Sequence, residues 1–449
     1  MNKILTKNTQ DISKEDATLN ALKKGIWIYF FLLIFEGALR KWFLPFLSAP
    51  LLIVRDPVAM WLIYMAWKHH IVKANIYVLA LSFISLFAIC TALVFGHGNL
   101  MVAFFGARIL IIHFPIMFII GKVFNLEDVI KMGRVLLIIA IPMTVLIALQ
   151  FYSPQSAWVN RGIGGDMEGA GFSGAMGYFR PPGTFSFTTG NVLFFSFVAC
   201  FVFYFWVAKV QINRLLLIGA TVGVFASISL SISRTLLYSI VLTFVFTLIS
   251  VANKPKYLVR MLVFMVLGVL MFAILSQTPL FQTGMDAFTT RLEVASESEG
   301  SVSDSIMNRI FGGMLTAISN SNHLPFFGYG LGMGTNTGAA LLTGERGFLV
   351  AEGEWLRLVG EMGFVIGLIV LLIRVIFCAD IFISSYNNIK KGNLLPWLLL
   401  SVGLLTILQG QWAQPTVLGF STLIGGLILA SSKKEPLPPE NETLTTELK

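Results

Sequence analysis

The sequence predicts an all-α fold, a polytopic transmembrane bundle of about 12 helical spans with one large outer loop between the ninth and tenth spans. Three observations carry that expectation. Of 449 residues 56% are hydrophobic and only 12% charged, whereas soluble domains are charged at about a quarter of their positions. Mean hydropathy is +0.80. Apolar stretches near the roughly 20 residues that a helix needs to cross a bilayer recur along the chain, separated by polar connections.

Taken in order, residues 1–25 are charged and polar and form an expected cytoplasmic N-terminal segment. They lead into an apolar stretch without an A-x-A type site, so no cleavable signal peptide is expected. The membrane domain, 26–430, follows. Its apolar stretches are 26–38, 51–67, 74–95, 100–124, 135–152 and 191–210, then 215–230, 235–251, 258–275, 355–377, 395–408 and 415–430. The first two are short for a crossing. Two polar insertions, 152–190 and 277–347, are expected as outer loops, and the glycine-rich part of the first, 162–177, reads as mobile. Residues 431–449, with Pro436, Pro438 and Pro439, are polar and expected to be a disordered cytoplasmic tail.

Lysine and arginine accumulate on the cytoplasmic side because short basic connections are poorly translocated. Lys23 and Lys24, then 68–73, 122–134, 209–214, 254–260, Lys390 with Lys391, and Lys433 with Lys434 all fit one orientation, with both termini cytoplasmic. That pattern accounts for most of the net charge of +9, so nucleic acid is not an expected partner. One connection breaks the rule: Arg40, Lys41 and Arg55 fall outside. Either the first two spans are misplaced, or these cations have a task there.

Four further arginines stand apart from the cytoplasmic belts. Arg108 lies within an apolar stretch, Arg180 sits in Phe179-Arg180-Pro181-Pro182-Gly183-Thr184-Phe185, Arg234 ends Ser231-Ile232-Ser233-Arg234, and Arg357 belongs to the run from Glu352 to Gly363. A charge near membrane depth costs a few kcal/mol, so such groups face a wet cavity or a partner. Several together suit an anion, since a guanidinium stays charged and grips phosphate oxygens in a bidentate way. The plainer reading is that each pairs with a carboxylate or snorkels to headgroups.

In the charged run, Glu354, Arg357 and Glu361 are spaced i, i+3 and i+7, on one face of a helix expected to continue through 364–378. Arg357 and Glu361 could be a structural ion pair. Glu352 and Glu354 lie where the loop meets the helix, as water-accessible candidates for a general base. Complementing the helix dipole is the alternative. Other motifs are weak. Gly328-Tyr329-Gly330-Leu331-Gly332-Met333-Gly334 lacks the βαβ context of a phosphate loop and reads as a tight turn. His69, His70, His97, His113 and His323 have no metal-ligand spacing, and Cys90, Cys200 and Cys378 all fall in apolar stretches, so neither a metal site nor a disulfide is expected.

The order of these elements resembles the O-antigen ligase and O-antigen polymerase family of bacterial membrane glycosyltransferases, chiefly over 180–367. An arginine-containing G-x-F segment is matched by 180–191, and an S-x-S-R element by Ser231-Ile232-Ser233-Arg234. A P-x-x-G-x-G turn is matched by Pro325-Phe326-Phe327-Gly328-Tyr329-Gly330, and a helix opening H-N-x-x-L-x-x-x-x-E-x-G by the run from Glu352 to Gly363. Glu352 occupies the place of the ligase histidine, which leaves the base open between Glu352 and Glu354.

The resemblance implies transfer of glycan repeat units from an undecaprenyl-diphosphate donor to an acceptor hydroxyl at the outer face of the bacterial cytoplasmic membrane. No cofactor and no metal are implied. The partners are the lipid-linked donor, a glycan or lipid acceptor, membrane lipids and other envelope-polysaccharide assembly proteins. Arg180 and Arg234 would hold the diphosphate, with Arg108, Arg357, Arg40 and Arg55 in support, and Glu352, Glu354 and Arg234 would act in catalysis. Glutamate in place of histidine favours a polymerase over a ligase. A secondary transporter is the rival class, opposed by the long outer loop and the absence of an internal repeat.

Overall fold

A computed structural model of the protein describes residues 2–208, 210–252, 277–299, 324–345 and 347–433, together with residue 319 and single positions between 259 and 274. Most of the expected ninth span, 258–275, the middle of the long loop with His323, and the tail beyond Lys433 lie outside the described residues. The chain is mostly helical. Among the described residues seven helices are long and apolar enough to cross a membrane, and three shorter apolar helices accompany them.

The chain opens with α1 (Asn2–Ala38), extended by a π turn over Leu39–Phe43, and two short 3-10 turns lead to α2 (Arg55–Lys68). Next come α3 (Ile76–Val94) and α4 (Leu100–Arg108), which a second π turn, Ile109–His113, joins to α5 (Phe114–Val123). The long helix α6 (Leu126–Tyr152) precedes a hairpin, β1 (Phe172–Ala175) and β2 (Tyr178–Arg180). Then follow α7 (Thr188–Val207), α8 (Arg214–Leu230) and α9 (Arg234–Val251). After the long loop's helix α10 (Pro279–Glu299) come α11 (Asn336–Thr343), α12 (Glu354–Met362), α13 (Phe364–Lys390), α14 (Leu395–Leu408) and α15 (Pro415–Ser431). Several starts are set by side-chain caps that take up orphan N–H groups: Asn75 for α3, Asn99 for α4, Asn213 for α8, and an Asn125–Asp128 capping box for α6.

Three helices form the centre. On α7, α14 and α15 apolar side chains are buried on nearly every face, as a helix surrounded by other helices requires. The surrounding helices expose apolar rows instead, such as Phe83 and Leu86 on α3, Ile138 and Val145 on α6, and Ile369 and Leu372 on α13. Exposed apolar rows of this extent suit hydrocarbon better than water. Basic residues of the described connections meet one another's segments. Lys23 pairs with Asp128 at 2.7 Å, Lys433 Nζ donates to Phe124 O at 2.7 Å, and Arg134 donates to Gln211 O at 3.0 Å.

Two expectations change. The stretch 355–377 is not one helix, because Gly363, at φ +80°, separates α12 from α13. A β-carbon there would lie 2.0 Å from Phe326 O. The turn beginning at Pro325 occupies that space and caps α12: Tyr329 N–H donates to Gly360 O at 2.8 Å and Gly330 N–H to Glu361 O at 3.0 Å. These are the carbonyls that a helix end leaves without partners. Gly363→Ala is therefore expected to cost about 2 kcal/mol or more, read as a lower melting temperature of the detergent-solubilised protein.

The second change concerns 162–177, whose last six residues form a strand and turn of a hairpin. Met176 at φ +53° and Gly177 at φ +79° make the mirror-image turn that matches strand twist, pairing Phe172 with Arg180 and Ala175 with Tyr178. Tyr178 stacks on Phe151 at 4.7 Å, which seats the hairpin on α6.

Candidate anion-binding site

The singled-out charges fall into three groups. The first lies among α1, α2 and the α4–α5 junction. Glu36 on α1 accepts from Arg40 at 3.4 Å, one helical turn on, and from Arg55 at 3.2 Å. Arg55 also donates to Pro415 O at 2.6 Å, in space left by Gly419, where a β-carbon would lie 1.9 Å from the guanidinium. Asp56 accepts from Arg108 at 2.5 Å and meets His113 Nε2 at 2.9 Å, and the Tyr29 hydroxyl lies 3.0 Å from His113 Nδ1. Both π turns take part, since widening the helix there brings Arg40 and His113 inward.

The second group is built on Glu354. Its carboxylate accepts from Arg357 twice, at 3.0 Å each, from Arg374 at 2.7 Å and from Trp412 N–H at 3.1 Å. Arg357 joins Glu361 at 2.6 Å, and Glu361 accepts from Gly334 N–H at 2.8 Å. Arg374 also lies over the Trp412 ring, 3.8 Å from its centre. Glu354, read from the sequence as water-accessible, is 2% exposed, and four donors fill the four lone-pair positions of a carboxylate. Glu352, two residues earlier, is exposed, and its backbone carbonyl accepts from Gln411.

These two groups hold Arg40, Arg55, Arg108 and Arg357 in ion pairs internal to the protein. Removing charges from water is costly unless they are paired, and each of these is paired with a carboxylate, although Arg55 Nη1 and Arg108 Nε are buried without a hydrogen-bond partner.

The third group is different. Arg180 ends β2, and its guanidinium donates to Thr188 Oγ1 at 3.3 Å, at the start of α7. Its Nε is buried without a hydrogen-bond partner, and among the described residues no carboxylate pairs with it. Burial, then the positive charges of Arg291 and Arg234, bring its pKa down to about 10.

Three separate elements deliver these arginines. Gly174 of β1 lies against Ile232, whose Cδ1 would be 2.6 Å from a β-carbon there, so the hairpin rests on the α8–α9 corner. That corner turns through Ile232 at φ +46°, a strained value for a β-branched residue. The turn leaves Ser233 to cap α9, accepting Leu236 N–H at 3.4 Å, and Arg234 as its first residue. Arg291 arrives on α10 and donates to Gly174 O at 3.0 Å.

Lys41 steadies the segment after Arg180. It is wholly buried, donates to Gly183 O at 2.7 Å, and lies 4.6 Å from the centre of the Trp42 ring. Gln150 brackets the same glycine, accepting Gly183 N–H at 2.8 Å and donating to Gly183 O at 3.2 Å. Arg40 adds a bond to Ser186 Oγ at 3.0 Å. Two of the cations that break the topology rule, Arg40 and Lys41, thus grip the loop that carries Arg180.

Arg180 and Arg234 are brought together, as are Arg40 and Arg55. Among the described residues no hydrogen bond or ion pair joins Glu352 to either arginine pair. The sequence left Glu36, Asp56, Arg291 and Arg374 unmarked, and marked His113 only as a histidine without metal-ligand spacing. Glu36, Asp56 and Arg374 had a usable signal, being charges inside apolar stretches. Arg291 had none, since one arginine in a polar loop is unremarkable. No group of histidine, cysteine and carboxylate side chains among the described residues is arranged to hold a metal ion.

No protein-family model matches the chain, and no curated protein matches it. Fold and site define a helical membrane protein whose hairpin, helix corner and loop helix converge on cations suited to a multiply charged anion.

Proposed function

We propose that the protein is a membrane glycosyltransferase of the O-antigen polymerase kind. It crosses the bacterial cytoplasmic membrane twelve times with both termini inside, and transfers glycan repeat units from undecaprenyl diphosphate to an acceptor hydroxyl on the outer side. The supporting observation is Arg180, a partly buried cation with no carboxylate partner among the described residues, near the charges of Arg234 and Arg291. A diphosphate supplies the negative charge that such an arrangement calls for.

In the transfer the acceptor oxygen bonds to the anomeric carbon as the bond from that carbon to the phosphate oxygen breaks, with inversion. The electron pair leaves with the diphosphate, whose growing charge Arg180 and Arg234 stabilise. The acceptor's proton passes to a carboxylate, and Glu352 is the candidate because Glu354 is filled with donors. Glu352→Gln is expected to lower transfer about a hundredfold while protein level and donor binding hold.

Deletion of the gene, followed by gel separation of surface glycans and of lipid-linked intermediates, separates the readings. Single repeats on the final acceptor indicate a polymerase, and long lipid-linked chains that never reach it indicate a ligase. The helix break at Gly363, beside buried charges, also suits a transporter. An unchanged glycan ladder with lost uptake of a small solute would establish that reading instead.

A further inference from the structure

We propose that Phe172 and Phe187 form a stacking platform for the sugar next to the diphosphate, and so a determinant of which glycan the protein accepts. The inference rests on the donor reading above. Phe172 opens β1 and Phe187 immediately precedes α7, and their rings meet edge to face, 5.5 Å between centres. Both are apolar yet 49% and 45% exposed. Tyr178, on the same hairpin, shows what a satisfied aromatic does there, stacked flat on Phe151.

The occupant follows from what lies beside the pair. Phe172 is directly across from Arg180 in the hairpin register, and its ring centre is 5.5 Å from the Arg180 guanidinium. Arg180 Nε is a buried donor without a hydrogen-bond partner. In a glycosyl diphosphate the first sugar is bonded to the phosphate itself, so a phosphate at Arg180 brings a pyranose ring within reach of Phe172. Pyranoses have a C–H face that packs on aromatic rings, and their hydroxyl rim tolerates the water around an exposed loop. A polyprenyl chain belongs in the hydrocarbon.

The test is binding by the purified full-length protein in lipid nanodiscs, comparing undecaprenyl diphosphate with the same lipid carrying one galactose or one glucose. The wild type is expected to favour a glycosylated form. Phe172→Ala and Phe187→Ala are each expected to weaken its binding about tenfold, with the bare lipid diphosphate held within twofold and Phe172→Trp restoring the preference. An equal loss for both ligands would make the platform a lipid or diphosphate contact and overturn the proposal, as would binding unchanged by either substitution. A wild type that does not distinguish the ligands would also remove the sugar subsite. The donor reading fails separately, through an unchanged glycan ladder on gene deletion.

Discussion

Replacing Glu354 by alanine is expected to leave little folded protein. Its carboxylate is the shared counter-ion of Arg357 and Arg374, both buried, and it also takes the Trp412 N–H. Removing one partner of a buried pair typically costs about 3–5 kcal/mol because it strands the other charge, and here two guanidiniums are stranded at once. Against a typical total stability of about 5–15 kcal/mol, that is a large fraction. Glu354→Gln keeps the shape but removes the charge, so it is expected to fail nearly as badly. The control is a second change: Glu354→Gln with Arg374→Met strands one cation fewer and is expected to recover part of the loss. Yield of monodisperse protein on size exclusion and the thermal unfolding midpoint read the series. A Glu354→Ala protein that purifies and melts like the wild type would mean that the pairing does not hold α12 to α13 and α14.

The buried pairing at Glu354 bears on how the charged run should be understood. From spacing alone, Glu354, Arg357 and Glu361 share a helix face, and the structure joins all three through Arg357. Which of them faced water was not legible, because that depends on Arg374, twenty residues further on, and on the α14–α15 connection carrying Trp412. Apolar stretches were readable since hydrophobicity is a local property, and the described ones coincide with helices. The break at Gly363 was harder to see. It is imposed by the turn at Gly328, where a β-carbon would lie 2.5 Å from Gly363 N, and no local period records that contact.

The same distinction divides the arginines. Arg40, Arg55, Arg108 and Arg180 looked alike as charges that topology left unexplained. A sequence states a residue's own charge but not whether a carboxylate from another helix arrives beside it. Glu36 of α1 arrives beside Arg55 and Asp56 of α2 beside Arg108, whereas Arg40 takes Glu36 from one turn earlier in its own stretch. Ile232 packing under Gly174 explains why Arg180 and Arg234 come together, and a helix corner against a hairpin is a tertiary event.

Arg180→Ala should give the opposite phenotype to Glu354→Ala: a folded protein that does not transfer glycan. No carboxylate among the described residues depends on Arg180, so its removal strands no buried charge. The pKa of Arg180 is lowered to about 10 by burial and by Arg291 and Arg234. A cation whose pKa falls on folding disfavours the fold while it is charged, and that cost is relieved only as pH rises through about 10. At neutral pH Arg180→Ala is therefore expected to melt at or slightly above the wild-type temperature. A diphosphate relieves the same repulsion by binding. It should raise the melting temperature of the wild type and do so far less for Arg180→Ala, because a ligand stabilises only the state that binds it. Transfer is expected to fall by about 10²–10³, the usual loss on removing a donor aimed at developing charge. Arg234→Ala should match it in transfer, and Arg180→Lys should recover only part, since an ammonium keeps the charge but lacks the planar fork. Full transfer by both alanine variants, or equal stabilisation of wild type and Arg180→Ala by diphosphate, would place the anion elsewhere. The melting-temperature arm needs no substrate identity, so it tests the site even where the glycan is unknown.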